Sequence, residues 1–145
     1  NKKKIEIEDI LKLTNLAENY SVSELIDSCL SKNKKKTINV LNENNYSQED
    51  CILITRTMLI KTKRLVRLCK EQAKLNNLDA TIAGFKPPIF WKDKEIIKQQ
   101  IKNWSYNKAK SLLYEINEVE LLIKKNPVNS INILSNFIIE KTYIN

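Results

Sequence analysis

Apolar residues recur along the first half of the chain at the spacing that places side chains on one face of an α-helix. This pattern predicts a short helix over 7–13 and, after a polar stretch, a second helix capped by Ser21 or Ser23. A third helix is predicted over 34–44. Ser47 is predicted to cap a long helix that runs to about residue 76 and packs on more than one side.

The second half of the chain is divided by prolines. Gly84 and Pro87-Pro88 predict a non-helical connector over 80–91, because proline disfavours helical geometry in the residue before it. Three more helices are predicted, over 93–104, from the cap Ser105 to the Lys-Lys-Asn-Pro stop at 124–127, and over 130–142. We therefore expect an all-α fold, a bundle of about five to seven helices.

The inward faces of these helices predict the core. The residues expected inside include Val22, Leu25, Ile26, Cys29, Leu30, Thr37, Val40, Ile97, Ile101, Trp104, Ala109, Leu112, Ile116, Ile123, Ile131, Leu134, Phe137 and Ile138. The aromatic residues of the connector, Phe85, Phe90 and Trp91, are interpreted as anchors that pin it to this core. Stacking on nucleic-acid bases is the alternative for them.

The composition removes several classes of chemistry. The chain has no His, which excludes Ser-His-Asp and Cys-His nucleophile systems and most zinc sites. A single Gly excludes a Walker A loop and a dinucleotide fingerprint, since both need several glycines against phosphate. The carboxylates at 6–9 and 115–120 are interpreted as solvated acids that balance nearby lysines. We expect no catalytic residue, no cofactor and no metal.

The charge of the chain has two interpretations. With 25 basic and 17 acidic residues the formal net charge is +8, which favours a polyanionic neighbour such as nucleic acid. Nearly all the basic residues are Lys, which is also typical of an AT-rich genome and of solvated helix faces. One face of the long helix carries a basic stripe of Lys63, Arg67, Lys70 and Lys74.

Cysteine usage and hydropathy bear on the compartment. Cys29, Cys51 and Cys69 are widely spaced in apolar helical contexts, so we expect buried, reduced thiols. No apolar run approaches the ~20 residues needed to cross a bilayer, and the N-terminus lacks a signal-peptide core. These features predict a cytoplasmic protein with no membrane partner. The opening at Asn1 is interpreted as a start within a longer polypeptide.

Six segments, taken in order, resemble a known family. Ile5–Ile10 is similar to an "I-x-x-E-D-V" domain end, Ser23–Ser28 to an "F-E-L-V-D-A" helix start, and Lys36–Leu41 to a "K-A-L-x-L-L" helix in which Thr37 replaces Ala. Ile52–Lys70 resembles a long helix ending in "R-x-L-L-x-x-K", Lys86–Lys92 an "R-P-P-x-F-F-K" connector, and Glu118–Lys124 an "x-D-x-x-I-K" finish. This series resembles the third domain of bacterial DNA polymerase III delta subunits of the alphaproteobacterial type.

The resemblance implies a fold and a place in an assembly. It implies that 21–145 is a helical collar domain for oligomerisation and that 1–20 is the end of a preceding domain and a linker. The implied partners are the delta prime and tau/gamma subunits of the clamp loader, primer-template DNA in the assembled complex, and the sliding clamp through an N-terminal domain outside this sequence. The chain itself would be no enzyme, although its parent complex is a DNA polymerase holoenzyme that replicates DNA.

Two sets of residues are predicted to serve this assembly. Lys92, Lys94, Lys98 and Lys102 are expected to face DNA, and Phe90, Trp91, Ile131 and Phe137 are expected to contact neighbouring subunits. Two other classes stay open at this point, a stand-alone basic helical nucleic-acid-binding protein and a general helical adaptor.

Overall fold

Seven α-helices form most of residues 2–144, the range described by the structure, which is a computed structural model. Side chains are described at 6, 7, 9 and 19–144. The helices are α1 Lys2–Leu30, α2 Lys34–Glu43, α3 Gln48–Leu75, α4 Leu78–Ala83, α5 Lys94–Asn103, α6 Tyr106–Lys125 and α7 Ser130–Tyr143. Two 3-10 turns, Trp91–Asp93 and Pro127–Asn129, precede α5 and α7. The predicted all-α bundle is confirmed.

The first helix is longer than the sequence pattern predicted. A break between 13 and 21 was expected, with a cap at Ser21 or Ser23, but α1 runs without interruption to Leu30. The polar residues in this stretch lower helix propensity, yet neither Pro nor Gly is present to stop the helix. Of the motif at 5–10, three side chains are described, and all three are exposed. The domain boundary at residue 20 stays a prediction.

Local capping signals were predicted correctly elsewhere. The Ser47 hydroxyl accepts a hydrogen bond from the Asp50 amide at 3.2 Å, and the Asp50 carboxylate accepts one from the Ser47 amide at 2.8 Å. This reciprocal capping box fixes the start of α3. Ser105 likewise accepts from the Lys108 amide at 3.2 Å at the start of α6. Asn76 ends α3 in the left-handed conformation at φ 51°.

Helix α3 lies at the centre of the bundle. It contacts α1, α4, α5, α6 and α7, and it buries residues along nearly its whole length. Its main partner, α6, runs antiparallel to it. The Cys69 thiol lies 3.4 Å from the Trp104 carbonyl at one end, and farther along Leu59 and Leu113 line the same groove. The predicted central role of this helix is confirmed.

The end of α1 is fixed by side chains of α5 and of the residue that follows it. The indole Nε1–H of Trp104 donates to the Leu30 carbonyl at 2.8 Å, and the Asn103 amide donates to the Ser31 carbonyl at 2.9 Å. The last carbonyls of a helix have no partner within the helix, so buried ones need donors from elsewhere. Backbone N–H groups of residues 31–33 donate to the carbonyls of residues 27–29, and Trp104 and Asn103 supply the donors for Leu30 and Ser31.

A largely buried polar cluster continues this contact one turn earlier. The Asp27 carboxylate pairs with Lys61 of α3 at 2.9 Å, and only 15% of the Asp27 side chain is exposed. The buried amide of Gln100 donates to the Asp27 carbonyl at 3.3 Å. Helices α1, α3 and α5 therefore meet through specific polar contacts as well as through apolar packing.

Most of the predicted core is buried, with one correction. Among the residues expected inside, Ile131 is 39% exposed, whereas Leu134, Phe137 and Ile138 of the same helix are buried. Ile131 lies in the first turn of α7, directly after a 3-10 turn whose Val128 is also exposed. The buried apolar residues of α7 begin in its second turn at Leu134, although Ser130 in the first turn is buried as well.

The two tryptophans allow a matched test of the contact at the end of α1. Trp104→Phe removes a buried hydrogen bond and leaves the Leu30 carbonyl without its donor, so we expect a loss of about 1–3 kcal/mol in the free energy of unfolding. The exposed Trp91 is the control, and Trp91→Phe is expected to change stability by less than about 0.5 kcal/mol. Urea denaturation measures both. Equal losses would show that the contact at Leu30 contributes no more than the surface ring.

Candidate functional site

The three thiols are structural. Burial raises the pKa of Cys29 and of Cys69 to about 11, and it also raises the pKa of Cys51. A thiol with a raised pKa is protonated near neutral pH and is therefore a poor nucleophile. No group of acidic or Cys side chains that could hold a metal ion occurs among the described residues. Grooves and exposed apolar side chains are the candidate sites on the described part of the chain.

The lysines predicted to face DNA do not form one free basic face. Lys94 and Lys102 are exposed on α5, and Lys92 lies in the preceding turn with its Nζ 5.4 Å from the centre of the Trp91 ring. Lys98 is paired with Asp79 at 2.9 Å and with Glu95 at 3.4 Å. The hydrogen bond to Asp79, followed by the charge of Asp79, raises the pKa of Lys98. Its charge is already compensated within the chain.

The connector aromatics divide between two environments. Phe85 is buried beneath Arg67, whose guanidinium carbon lies 4.6 Å from the centre of the ring. Phe90 and Trp91 are both exposed, with Trp91 68% exposed, and their rings are tilted at a centroid distance of 5.9 Å. The prediction that these residues pin the connector therefore holds for Phe85 and is wrong for the other two.

The predicted interface set is also divided. Phe90, Trp91 and Ile131 are exposed and available to a neighbour. Phe137 is only 8% exposed and belongs to the core of the bundle, with the Lys141 ammonium 5.5 Å from the centre of its ring. Its ring is used within the chain, so this residue is corrected from an interface position to a core position.

A basic groove lies between the C-terminal part of α3 and the segment that follows α4. Its volume is about 410 Å³. The charged residues that line it are Arg67, Lys70, Glu71, Lys74 and Lys86. Three residues of the basic stripe predicted on α3 therefore meet Lys86 of the connector. The fourth, Lys63, lines a different groove, between α3 and α6.

Several large apolar side chains are exposed on the α3–α6 pair. We call this surface the α3–α6 face and define it by Leu53, Ile60, Tyr114 and Leu121. Ile60 is 69% exposed and Tyr114 is 64% exposed, and the other two are exposed as well. A groove of about 230 Å³ lined by Leu59, Leu113 and Tyr114 lies on the same pair of helices. Exposed apolar residues on both helices of a packed pair make this face a candidate interaction site.

A further cavity of about 250 Å³ lies beside Trp104, and its lining includes Lys32, Lys108, Lys141 and Glu115. Two of its cations are engaged within the chain, since Lys141 pairs with Glu115 and Lys32 donates to the Ile144 carbonyl. Burial, followed by the charge of Lys108, lowers the pKa of Lys32.

Two features of these surfaces were not predicted from the sequence. Lys86 joins the α3 stripe only because the connector folds back along α3, and no local signal predicts that return. The α3–α6 face had a usable signal, because apolar residues wrap more than half of α3. A helix with more apolar surface than its neighbours can cover must expose some of it.

Comparisons with protein families, with curated proteins and with solved structures each found no match to this chain. Within the described part of the chain, no helix combines the length and the apolar character needed to span a membrane.

The raised thiol pKa values predict low reactivity in the folded chain. At pH 8 the three thiols are protonated and buried, so we expect dithionitrobenzoate to modify them slowly in buffer and rapidly in guanidinium chloride. A Lys125→Cys variant, with an exposed thiol at the end of α6, is the control and is expected to react rapidly when folded. Rapid native modification of the unaltered chain would contradict the burial.

Proposed function

We propose that this chain is the C-terminal collar domain of a clamp-loader delta subunit. In this role it assembles with delta prime and tau/gamma subunits, so that the loader can place the sliding clamp on primed DNA. The observation that carries the proposal is the α3–α6 face, an apolar surface on the two most closely packed helices. A domain that packs side by side with two neighbours needs exposed apolar helix faces.

Three other features support an assembly role. The helical bundle agrees with the fold that the resemblance implies. The thiols are protonated and buried, and the described residues offer no metal-binding cluster, which leaves binding surfaces as the available chemistry. Phe90 and Trp91 form a second exposed aromatic cluster on the connector, so the chain offers one apolar surface for each of two neighbours.

The first test is co-elution in size-exclusion chromatography with the delta prime and tau/gamma subunits of the same organism. We expect a complex at low micromolar concentration. Absence of a complex, together with tight DNA binding by the chain alone, would favour a stand-alone basic nucleic-acid-binding protein. Absence of both would favour an adaptor with a partner outside replication.

Substitutions on the α3–α6 face test the surface itself. Ile60→Glu with Leu121→Glu places two charges on an apolar contact, and we expect the affinity for the neighbouring subunits to fall at least ~30-fold, as for central interface residues. Both side chains are exposed, so folding should be preserved, and thermal denaturation checks this.

The matched control puts the same charge change elsewhere. Ile7→Glu with Ile144→Glu alters two exposed isoleucines outside the α3–α6 face, and co-elution should be unchanged. A third variant, Phe90→Glu with Trp91→Glu, tests the connector and is expected to weaken the contact with one neighbour. Wild-type affinity in the α3–α6 variant would remove this face from the proposal.

A further inference from the structure

We propose that the basic groove binds the sugar-phosphate backbone of DNA, with Arg67, Lys70, Lys74 and Lys86 as the cationic contacts. This inference rests on the proposed function for its setting, primer-template DNA, and it moves the DNA contact from the lysines around α5 to the surface formed by α3 and the connector. Its test uses the chain without loader subunits, so the two proposals can fail separately.

The groove brings together cations that are distant in sequence. Arg67, Lys70 and Lys74 extend over two turns of α3, and Lys86 comes from the connector. Residues at this helical spacing share one face, so their charges follow the axis of α3 as a row. A row of cations along a concave wall can follow the phosphates of a strand.

Most of the positive charge in the basic groove is not paired with acidic side chains of the described residues. Glu71 is the acidic residue in the lining, and it lies 3.6 Å from Lys74 in an exposed pair. Among the described residues, Arg67, Lys70 and Lys86 have no carboxylate within 4.0 Å. Asp79, on the neighbouring helix α4, is occupied by Lys98. The groove therefore keeps a positive charge that a polyanion can use.

Arg67 is held in place before any ligand binds. Its guanidinium lies over the Phe85 ring, and its Nη2 donates to the Lys86 carbonyl at 2.7 Å. A guanidinium has five N–H donors in a rigid plane, so donors remain for a phosphate after this contact. Because the side chain is already ordered, binding costs little side-chain entropy.

The lining also predicts the mode of recognition. Phe85 is buried, so the groove presents no exposed aromatic ring on which a base could stack, and Gly84 contributes no side chain to the wall. Lysine and arginine contacts to phosphate position a protein without reading the sequence. Binding should therefore be independent of sequence and strongly dependent on salt. A concave groove also suits a nucleic-acid strand better than a flat lipid surface.

Fluorescence anisotropy with a labelled single-stranded oligonucleotide, and with its duplex, tests the groove. The groove variant carries Lys70→Glu, Lys74→Glu and Lys86→Glu, which are all exposed positions, and it keeps Arg67 on Phe85. The control variant carries Lys92→Glu, Lys94→Glu and Lys102→Glu, also at exposed positions. Both variants lower the formal net charge of +8 by six, so they differ in where the charge changes and not in how much.

We expect the groove variant to lose at least ~10-fold in affinity at moderate salt and to lower the slope of log affinity against log salt by about 3. The control variant is expected to stay within about threefold of wild type, because its altered charges act only through screened, longer-range attraction. Circular dichroism checks folding. The milder set Lys70→Gln, Lys74→Gln and Lys86→Gln repeats the test with smaller charge changes and should show the same order of affinities.

Four results would overturn the proposal. Equal losses in both variants would mean that only net charge matters, and a loss confined to the control would return the contact to α5. A wild-type chain that binds neither oligonucleotide would exclude a DNA site of its own. Binding to vesicles of phosphatidylglycerol and phosphatidylcholine, with no binding to DNA, would identify the groove as a lipid-facing surface. None of these results depends on co-elution with loader subunits.

Discussion

The carbonyl groups at the C-terminal end of α1 impose the constraint on which the bundle depends. Cys29 and Leu30 at this end are fully buried, so its carbonyls cannot all turn to water. Backbone N–H groups of residues 31–33 donate to the carbonyls of residues 27–29, but the Leu30 carbonyl accepts from Trp104 and the Ser31 carbonyl from Asn103. These two contacts place α5 and the residue after it against this end of α1. An unpaired carbonyl in this position costs more free energy than a single hydrogen bond gains, so the arrangement leaves little freedom for another docking of α5.

The placement of α5 sets the positions of both candidate surfaces. Residues 84–90 must run from the end of α4 back to α5, and this path lays Phe85 against Arg67 and brings the Lys86 carbonyl to its guanidinium. On the other side of α5, Trp104 is followed directly by Ser105, the cap of α6, so the fixed tryptophan also orients α6 along α3. The positions of the basic groove and of the α3–α6 face therefore both depend on how α5 packs against the end of α1.

The parts of the fold that could be predicted are those determined by residues close to one another in sequence. Ser47 with Asp50 and Ser105 with Lys108 form caps within four residues, and the helices they begin were predicted within a residue or two. The continuity of α1 was not predicted, because polar residues weaken a helix by amounts that cannot alone decide whether it stops. The candidate sites were harder to predict than the helices. The partner of Lys98 and the return of Lys86 to α3 are set by helices distant in sequence, and no spacing pattern contains them.

Helix α3 also acts as a rigid spacer. It has neither Pro nor Gly, its ends are fixed by the capping box at Ser47 and by Asn76, and five other helices contact it, so it cannot bend easily. At 1.5 Å per residue, the axial distance from Leu53 on the α3–α6 face to Lys74 in the basic groove is about 32 Å. Partners bound at these two places would thus be held at a constant distance from each other.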